Sequence, residues 1–193
     1  MKISLLGNCQ TKALTWYIQQ LNSNFNVRWV CIEAFNGKWG QETSFCGKDI
    51  PVIVNLNESI SRLKKSDLVI FQHIKTESSK FFNHKKLNSY LANAQSISIS
   101  SMFYDTDHPE YLEGMIERAN EFNIDIPAHI IIEKHGSKIT MQQKNHPHAF
   151  YFLELVREIC AKTGWDYYSE EQYNQYLKEG YPFGDTNLEN KID

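Results

Sequence analysis

The hydrophobic positions switch repeatedly between strand-like and helical spacing. Residues 2–6 form a short apolar run that predicts a buried strand and ends at Gly7. Over 11–21, Ala13, Leu14, Tyr17, Ile18 and Leu21 recur at helical spacing, and Asn22-Ser23-Asn24 ends that helix. Val27, Trp29 and Val30-Cys31-Ile32 predict a second strand, rich in β-branched residues. An irregular segment follows over 33–49, long for a connection, and Pro51-Val52-Ile53-Val54 predicts a short strand. A helix is expected over 57–65, then a buried strand at Asp67-Leu68-Val69-Ile70-Phe71-Gln72. Residues 80–92 read as a helix with Phe81, Phe82, Leu87, Tyr90 and Leu91 inward. Ser96-Ile97-Ser98-Ile99-Ser100 alternates strictly, as a strand with one polar face does.

The loop 101–108 leads to Pro109, which suits the first turn of a helix running to Phe122. Asp125-Ile126-Pro127 breaks the chain. Residues 128–142 carry both signals: Ile130-Ile131-Ile132 favours a strand, and the flanking pattern favours a helix. Asn145-His146-Pro147 is expected to open a helix over 148–162, with Leu153, Val156, Ile159 and Cys160 inward. A polar helix is expected over 169–179, and the acidic tail beyond Tyr181 is expected to be loose. Strands alternating with helices predict an α/β fold, a Rossmann-like parallel sheet flanked by helices, with additional C-terminal helices. The 193 residues suit one domain: an α/β core over about 1–125, a helical part over about 126–180 and the tail. In such sheets ligands lie beyond the carboxyl ends of the strands. That rule selects Gly7 to Gln10, Gln72-His73 and Ser100 to His108 as segments expected to converge on one crevice.

Composition narrows the function. The net charge of −3 gives no basic surplus for a phosphate backbone, so nucleic acid is not an expected partner. Lys64-Lys65 and Lys85-Lys86 are short enough to be solvated helix faces. Cys9, Cys31, Cys46 and Cys160 form no CxxC pair and no zinc spacing, so no metal is expected. No signal-peptide h-region and no stretch of transmembrane length are present, so a cytoplasmic protein with reduced thiols is expected. There is no Gly-x-Gly-x-x-Gly and no Walker loop, and hence no support for nicotinamide or P-loop chemistry.

The chemistry-bearing stretch is Gly7-Asn8-Cys9-Gln10. A thiol at a helix N-terminus meets positive partial charge, which favours the thiolate; the alternative is a buried cysteine acting as a small hydrophobe. Residue 15 is Thr, not the Arg of a Cys-x5-Arg phosphatase loop, so that chemistry is excluded. Asn8 and Gln10 can donate to a developing oxyanion or simply make the turn. Lys12 offers a phosphate contact, against which stands a solvated lysine. His146 and His108 are candidate general bases or acids. Gln72 and His73 close a strand and can line the site. His148 is a weaker candidate; His84, His129 and His135 have no supporting context, and Cys31, Cys46 and Cys160 read as core or incidental.

Four segments in order carry a family resemblance: Gly7-Asn8-Cys9-Gln10 after the first strand, Asp67 to Gln72, Met102-Phe103-Tyr104 with His108-Pro109, and Asn145-His146-Pro147. Together, over roughly residues 2–160, they resemble the WcbI family of polysaccharide-biosynthesis proteins. The resemblance implies coenzyme A binding and acetyl transfer to a surface or capsular polysaccharide or its sugar precursor. By position it implies a site made of Cys9, Gln10, Gln72, His108, Asn145 and His146. It also implies a strongly helical fold around an α/β subdomain. Residues 33–50 match no part of it. A looser architectural similarity links the chain to the Gly-Asp-Ser esterases of the SGNH type, but Gln143 stands where their Asp precedes the histidine.

Three functions follow as expectations. The first is an acyl-coenzyme A dependent O-acyltransferase with a carbohydrate acceptor, working by direct attack or through an acylated Cys9. The second is a cysteine-dependent ester or thioester hydrolase. The third is a non-catalytic module binding a sugar or nucleotide.

Overall fold

The computed structural model describes residues 1–32, 44–45, 48–53, 55–73, 89–91, 93–102, 110–136, 141–143 and 146–179. The chain forms two compact units, Met1–Ser101 and Met102–Asp193.

The first unit is built on a five-stranded parallel sheet. Its strands are β1 (Lys2–Gly7), β2 (Asn26–Cys31), β5 (Val52–Ile53), β6 (Leu68–His73) and β7 (Gln95–Ser100), in the spatial order β5-β2-β1-β6-β7. A separate two-residue hairpin joins β3 (Ser44–Phe45) to β4 (Lys48–Asp49). The predicted α/β class and parallel sheet are thus present. Every predicted sheet strand is present to within a few residues: β1, β2 and β6 are largely apolar runs buried on both faces, and β7 is the alternating Ser-Ile segment.

The chain builds outward from β1 to β2 and β5, then crosses back to add β6 and β7 on the other side. Order therefore reverses between β1 and β6, and this is the topological switch point. Helix α1 (Cys9–Leu21) and helix α2 (Leu56–Lys64) cover opposite faces. On the α2 face, Leu63 packs with Leu6, Val30, Val69 and Phe71. Strand alternation puts Gly7 and Gln72 on the other face, where Thr11 of α1 reaches Trp29 of β2.

Arg62 of α2 ties the amino ends of the strands together. Its Nη2 donates to the carbonyls of Ile3 (3.1 Å) and Asn26. Its Nε donates to Ser4 Oγ at 3.2 Å; Ser4 in turn meets Ser66 Oγ at 2.7 Å, and Ser66 Oγ donates to the Arg62 carbonyl at 2.9 Å. This closed circuit satisfies two buried hydroxyls that would otherwise be orphaned. Partial burial lowers the Arg62 pKa, and the nearby Arg28 adds to that effect. Lys64 and Lys65 are exposed, as expected.

The second unit contains α3 (Glu110–Phe122), α4 (Ala128–His135), the hairpin of β8 (Met141–Gln143) and β9 (His146–Pro147), α5 (Ala149–Thr163) and α6 (Glu170–Glu179). The two signals in 128–142 resolve by position. Ile130-Ile131-Ile132 lies in α4, where Ile131 and Ile132 are buried and Ile130 is exposed, and Met141–Gln143 is extended. The helix expected over 148–162 is α5, which begins at Ala149 behind its N-cap His148; the two residues before it, His146 and Pro147, form β9. The cause is local: a residue before proline is driven to extended backbone, and His146 precedes Pro147. Gly164, at φ 74°, ends α5 in the left-handed conformation.

Predicted features over 33–43, most of the helix at 80–92, the loop with His108, and the tail beyond Tyr181 lie outside the described residues. Among the described residues, no helix is long and apolar enough to cross a membrane. Leu63 is fully buried beneath the α2 face, so Leu63→Ala is expected to cost about 2–5 kcal/mol. Urea unfolding followed by far-UV circular dichroism would read that loss.

Candidate functional site at the carboxyl edge of the sheet

The site begins with a backbone problem. The first N–H groups of a helix have no partner within it. Asn8 is the N-cap of α1, in extended conformation, and its Oδ1 accepts the Gln10 N–H at 2.9 Å. Thr11 Oγ1 donates to the Asn8 carbonyl at 2.8 Å, and the Lys12 N–H reaches the same carbonyl at 3.1 Å. Cys9 therefore sits at the first helical position, half-buried. The first turn of α1 holds no acidic residue.

Gln72, near the carboxyl end of β6, ties this turn to the neighbouring strands. It is 5% exposed. Its Oε1 accepts the Asn8 N–H at 3.2 Å. Its Nε2 donates to Gln10 Oε1 at 2.9 Å and to Ser101 Oγ, just past β7, at 3.3 Å. A side chain at Gly7 would leave no space for this arrangement. A Cβ there would lie 2.7 Å from Gln72 Oε1 and from both Thr11 Cγ2 and Oγ1. The Gly7 carbonyl accepts Trp29 Nε1 at 3.2 Å, and the same N–H reaches Thr11 Oγ1 at 3.1 Å.

The sequence-selected residues thus divide. Gly7, Asn8, Cys9, Gln10 and Gln72 come together, with Ser101, at the switch point. His73 and Ser100 are register partners that alternate to the opposite face, where the His73 ring lies 5.3 Å from that of Phe71. The N–H groups of Asn8 and Gln10 are engaged inside the turn, so an oxyanion would draw on the side-chain amides, not on these two N–H groups. His146 belongs to the second unit, paired opposite Gln143. His148, the N-cap of α5, is buried and makes no side-chain cap bond. His108 and Asn145 lie outside the described residues.

Lys12 requires a correction. It is not a solvated lysine: it is 1% exposed, and its Nζ lies 5.2 Å from the centre of the Trp29 ring. A lysine is almost never this buried without compensation, and the face of an indole supplies some. The positive end of α1 lies at this turn.

Thr11 and Trp29 were not singled out as site residues by the sequence, whereas Ser101 fell within the selected segment 100–108. Thr11 is one turn into a helix and Trp29 one position in a strand, and neither pattern shows that they meet. A buried polar cluster in the second unit was also missed. Glu154, 3% exposed in α5, contacts His135 Nε2 at 3.1 Å, Arg157 Nη2 at 3.4 Å and Tyr173 Oη at 3.5 Å. Arg157 in turn lies over the rings of Tyr167 and Tyr173, at 4.8 and 5.6 Å. These contacts fasten α4 and α6 to α5.

No family model matches the chain, and neither a curated protein nor a solved structure matches it.

Two outcomes test the site geometry. Gly7→Ala is expected to lower stability by about 1–3 kcal/mol through overpacking, measured by urea unfolding. Cys31 is buried, and burial, helped by the charge of Asp166, pushes the Cys160 thiol up to about 11. In a Cys46→Ser background at pH 8, iodoacetamide should therefore label Cys9 first by mass spectrometry. Cys31 and Cys160 should react only after unfolding.

Proposed function

We propose that this chain is a coenzyme A binding O-acyltransferase that acetylates a surface or capsular polysaccharide or its sugar precursor. Two things support the reading. One is the ordered resemblance of Gly7-Asn8-Cys9-Gln10, Asp67 to Gln72, His108-Pro109 and Asn145-His146-Pro147 to the WcbI family. The other, which carries it, is the meeting of Asn8, Gln10 and Gln72 around Cys9 at the sheet's switch point. A turn rich in amide donors, at the positive end of a helix and free of acidic residues, suits a thioester carbonyl that becomes an oxyanion.

In the direct route, a general base accepts the proton of an acceptor hydroxyl as its oxygen attacks the thioester carbon. The C–O bond forms, the C–S bond breaks, and the proton passes to the departing coenzyme A sulfur. Asn8 Nδ2 and Gln10 Nε2 are the donors for the tetrahedral oxyanion. In the two-step route, the Cys9 thiolate takes the acyl group first and releases coenzyme A, and the acceptor then attacks the new thioester. Lys12 belongs to the coenzyme A side of this reading through the positive field it adds. The acyl donor is the cytoplasmic cofactor, so the reaction is assigned to that compartment.

Coenzyme A that binds only the native chain must stabilise it. At about a hundredfold above its dissociation constant the gain is about 2.7 kcal/mol. A rise in melting temperature at millimolar coenzyme A is therefore expected, and no rise would count against the proposal. With acetyl-coenzyme A, mass spectrometry that finds acetyl on Cys9 selects the two-step route. Cys9→Ser with most of its activity left selects direct attack, and free acetate without any acceptor points to a hydrolase instead.

A further inference from the structure

Two serines stand at the end of β7, and the pleat parts them. Ser100, the register partner of His73, falls on the face away from α1. The Ser101 N–H donates to the His73 carbonyl at 3.2 Å, so the β6-β7 ladder runs one residue beyond the strand. That keeps the alternation and puts the Ser101 side chain with Ile99 and Gln72, on the face of the Gly7 turn. Ser101 is half-buried there, and its Oγ lies 3.3 Å from Gln72 Nε2.

Two backbone N–H groups fix which way the polar atoms of this turn point, because a backbone N–H can only donate. The Asn8 N–H therefore meets Gln72 at its oxygen, 3.2 Å away, which leaves Gln72 Nε2 facing Ser101. Nε2 can only donate as well. Ser101 Oγ thus accepts from it, and the single hydroxyl proton of Ser101 turns away from Gln72. The Gln10 N–H likewise meets Asn8 at Oδ1, 2.9 Å away, and leaves Asn8 Nδ2 at the other end of that amide. Asn8 is half-buried too. Among the described residues, no acceptor takes the Ser101 hydroxyl proton or the Nδ2 protons of Asn8. The turn carries these two donors at the two ends of the Gln72 amide.

We propose that Ser101 is a catalytic residue whose hydroxyl joins Asn8 Nδ2 in donating to the acyl carbonyl oxygen and to the negative charge that oxygen gains during transfer. The assignment rests on the acyltransfer reading for the group that Ser101 meets; the direction of its proton does not. As the nucleophile bonds to the acyl carbon, the carbonyl π pair moves onto oxygen, and it returns when the sulfur leaves. A hydroxyl whose own oxygen is held by Gln72 meets that charge with little reorganisation. A hydrogen bond to a charged oxygen is also stronger than one to a neutral carbonyl, so the gain is larger in the transition state than before it.

A reaction at Cys9 that needs no coenzyme A tests this in the full chain. The ester p-nitrophenyl acetate acylates the thiolate through a tetrahedral oxyanion and expels p-nitrophenolate. Iodoacetamide alkylates the same sulfur by displacing iodide, and no charge develops on a carbonyl oxygen. Mass spectrometry follows both products at Cys9. In Ser101→Ala, acylation is expected to slow about 10- to 100-fold, the size of one hydrogen bond to a charged oxygen, while alkylation is unchanged. Ser101→Thr keeps the hydroxyl and is expected to retain the wild-type ratio of the two rates. With acetyl-coenzyme A, Ser101→Ala is expected to lower kcat by a similar factor and to leave KM nearly as it was. A ratio unchanged in Ser101→Ala, whether both rates fall or neither does, would overturn the donor role. So would a ratio that falls equally in Ser101→Thr, or an unchanged kcat in a chain that transfers acetyl. A selective fall in acylation, in a chain that transfers no acetyl from acetyl-coenzyme A, would support the Ser101 donor and count against the acyltransferase reading alone.

Discussion

The side chain that Gly7 lacks would fill the space where Gln72 Oε1 and Thr11 meet the end of β1, 2.7 Å from where its Cβ would lie. The contacts of Gln72 and Thr11 with this turn need that space empty. With it empty, α1 starts close against β1, Asn8 caps the helix, and an amide from β6 closes over the turn. The Gly7 carbonyl meanwhile anchors the Trp29 indole. A single missing methyl group thus links the central strand, its two neighbours and the first helix.

The two edges of the sheet are held by different chemistry. At the amino edge, Arg62 spans β1 and β2 with a charged fork and uses Ser4 and Ser66 to complete its own circuit. At the carboxyl edge the ties are neutral amides and hydroxyls. Charge-assisted bonds are the stronger kind, so the edge distant from the site carries more of the fastening. In the second unit the same division recurs within one helix. The inner stripe of α5 packs the core, while Glu154 gathers His135, Arg157 and Tyr173 into one polar contact.

Much of this was legible in the sequence because it is local. The strands at Lys2–Gly7 and Leu68–His73 are uninterrupted buried runs, and the helix Cys9–Leu21 announces itself by spacing. The rule that ligands gather past strand ends selected Gly7 to Gln10 and Gln72 before any geometry was known. What the sequence hid depends on chain-distant partners. Lys12 looks like any lysine in a first turn until Trp29, from another strand, is placed beneath its ammonium. His73 and Gln72 are equivalent candidates until the pleat sends them to opposite faces. His146-Pro147 precedes the helix its sequence announced, but that these two residues also pair with β8 was not legible.

The amide of Gln72 also reads the alignment of β6. In the observed register Leu6 lies beside Phe71, which leaves Gln72 level with the end of β1. A slip of one residue would put Phe71 or His73 against α1, and neither can accept from Asn8 while donating to both Gln10 and Ser101. A mispaired pair of central strands would bury nearly as much apolar surface, since β1 and β6 are buried on both faces, yet it could not assemble this turn. The turn therefore works as a checksum on the fold: a chain that has it complete has also threaded its central strands correctly.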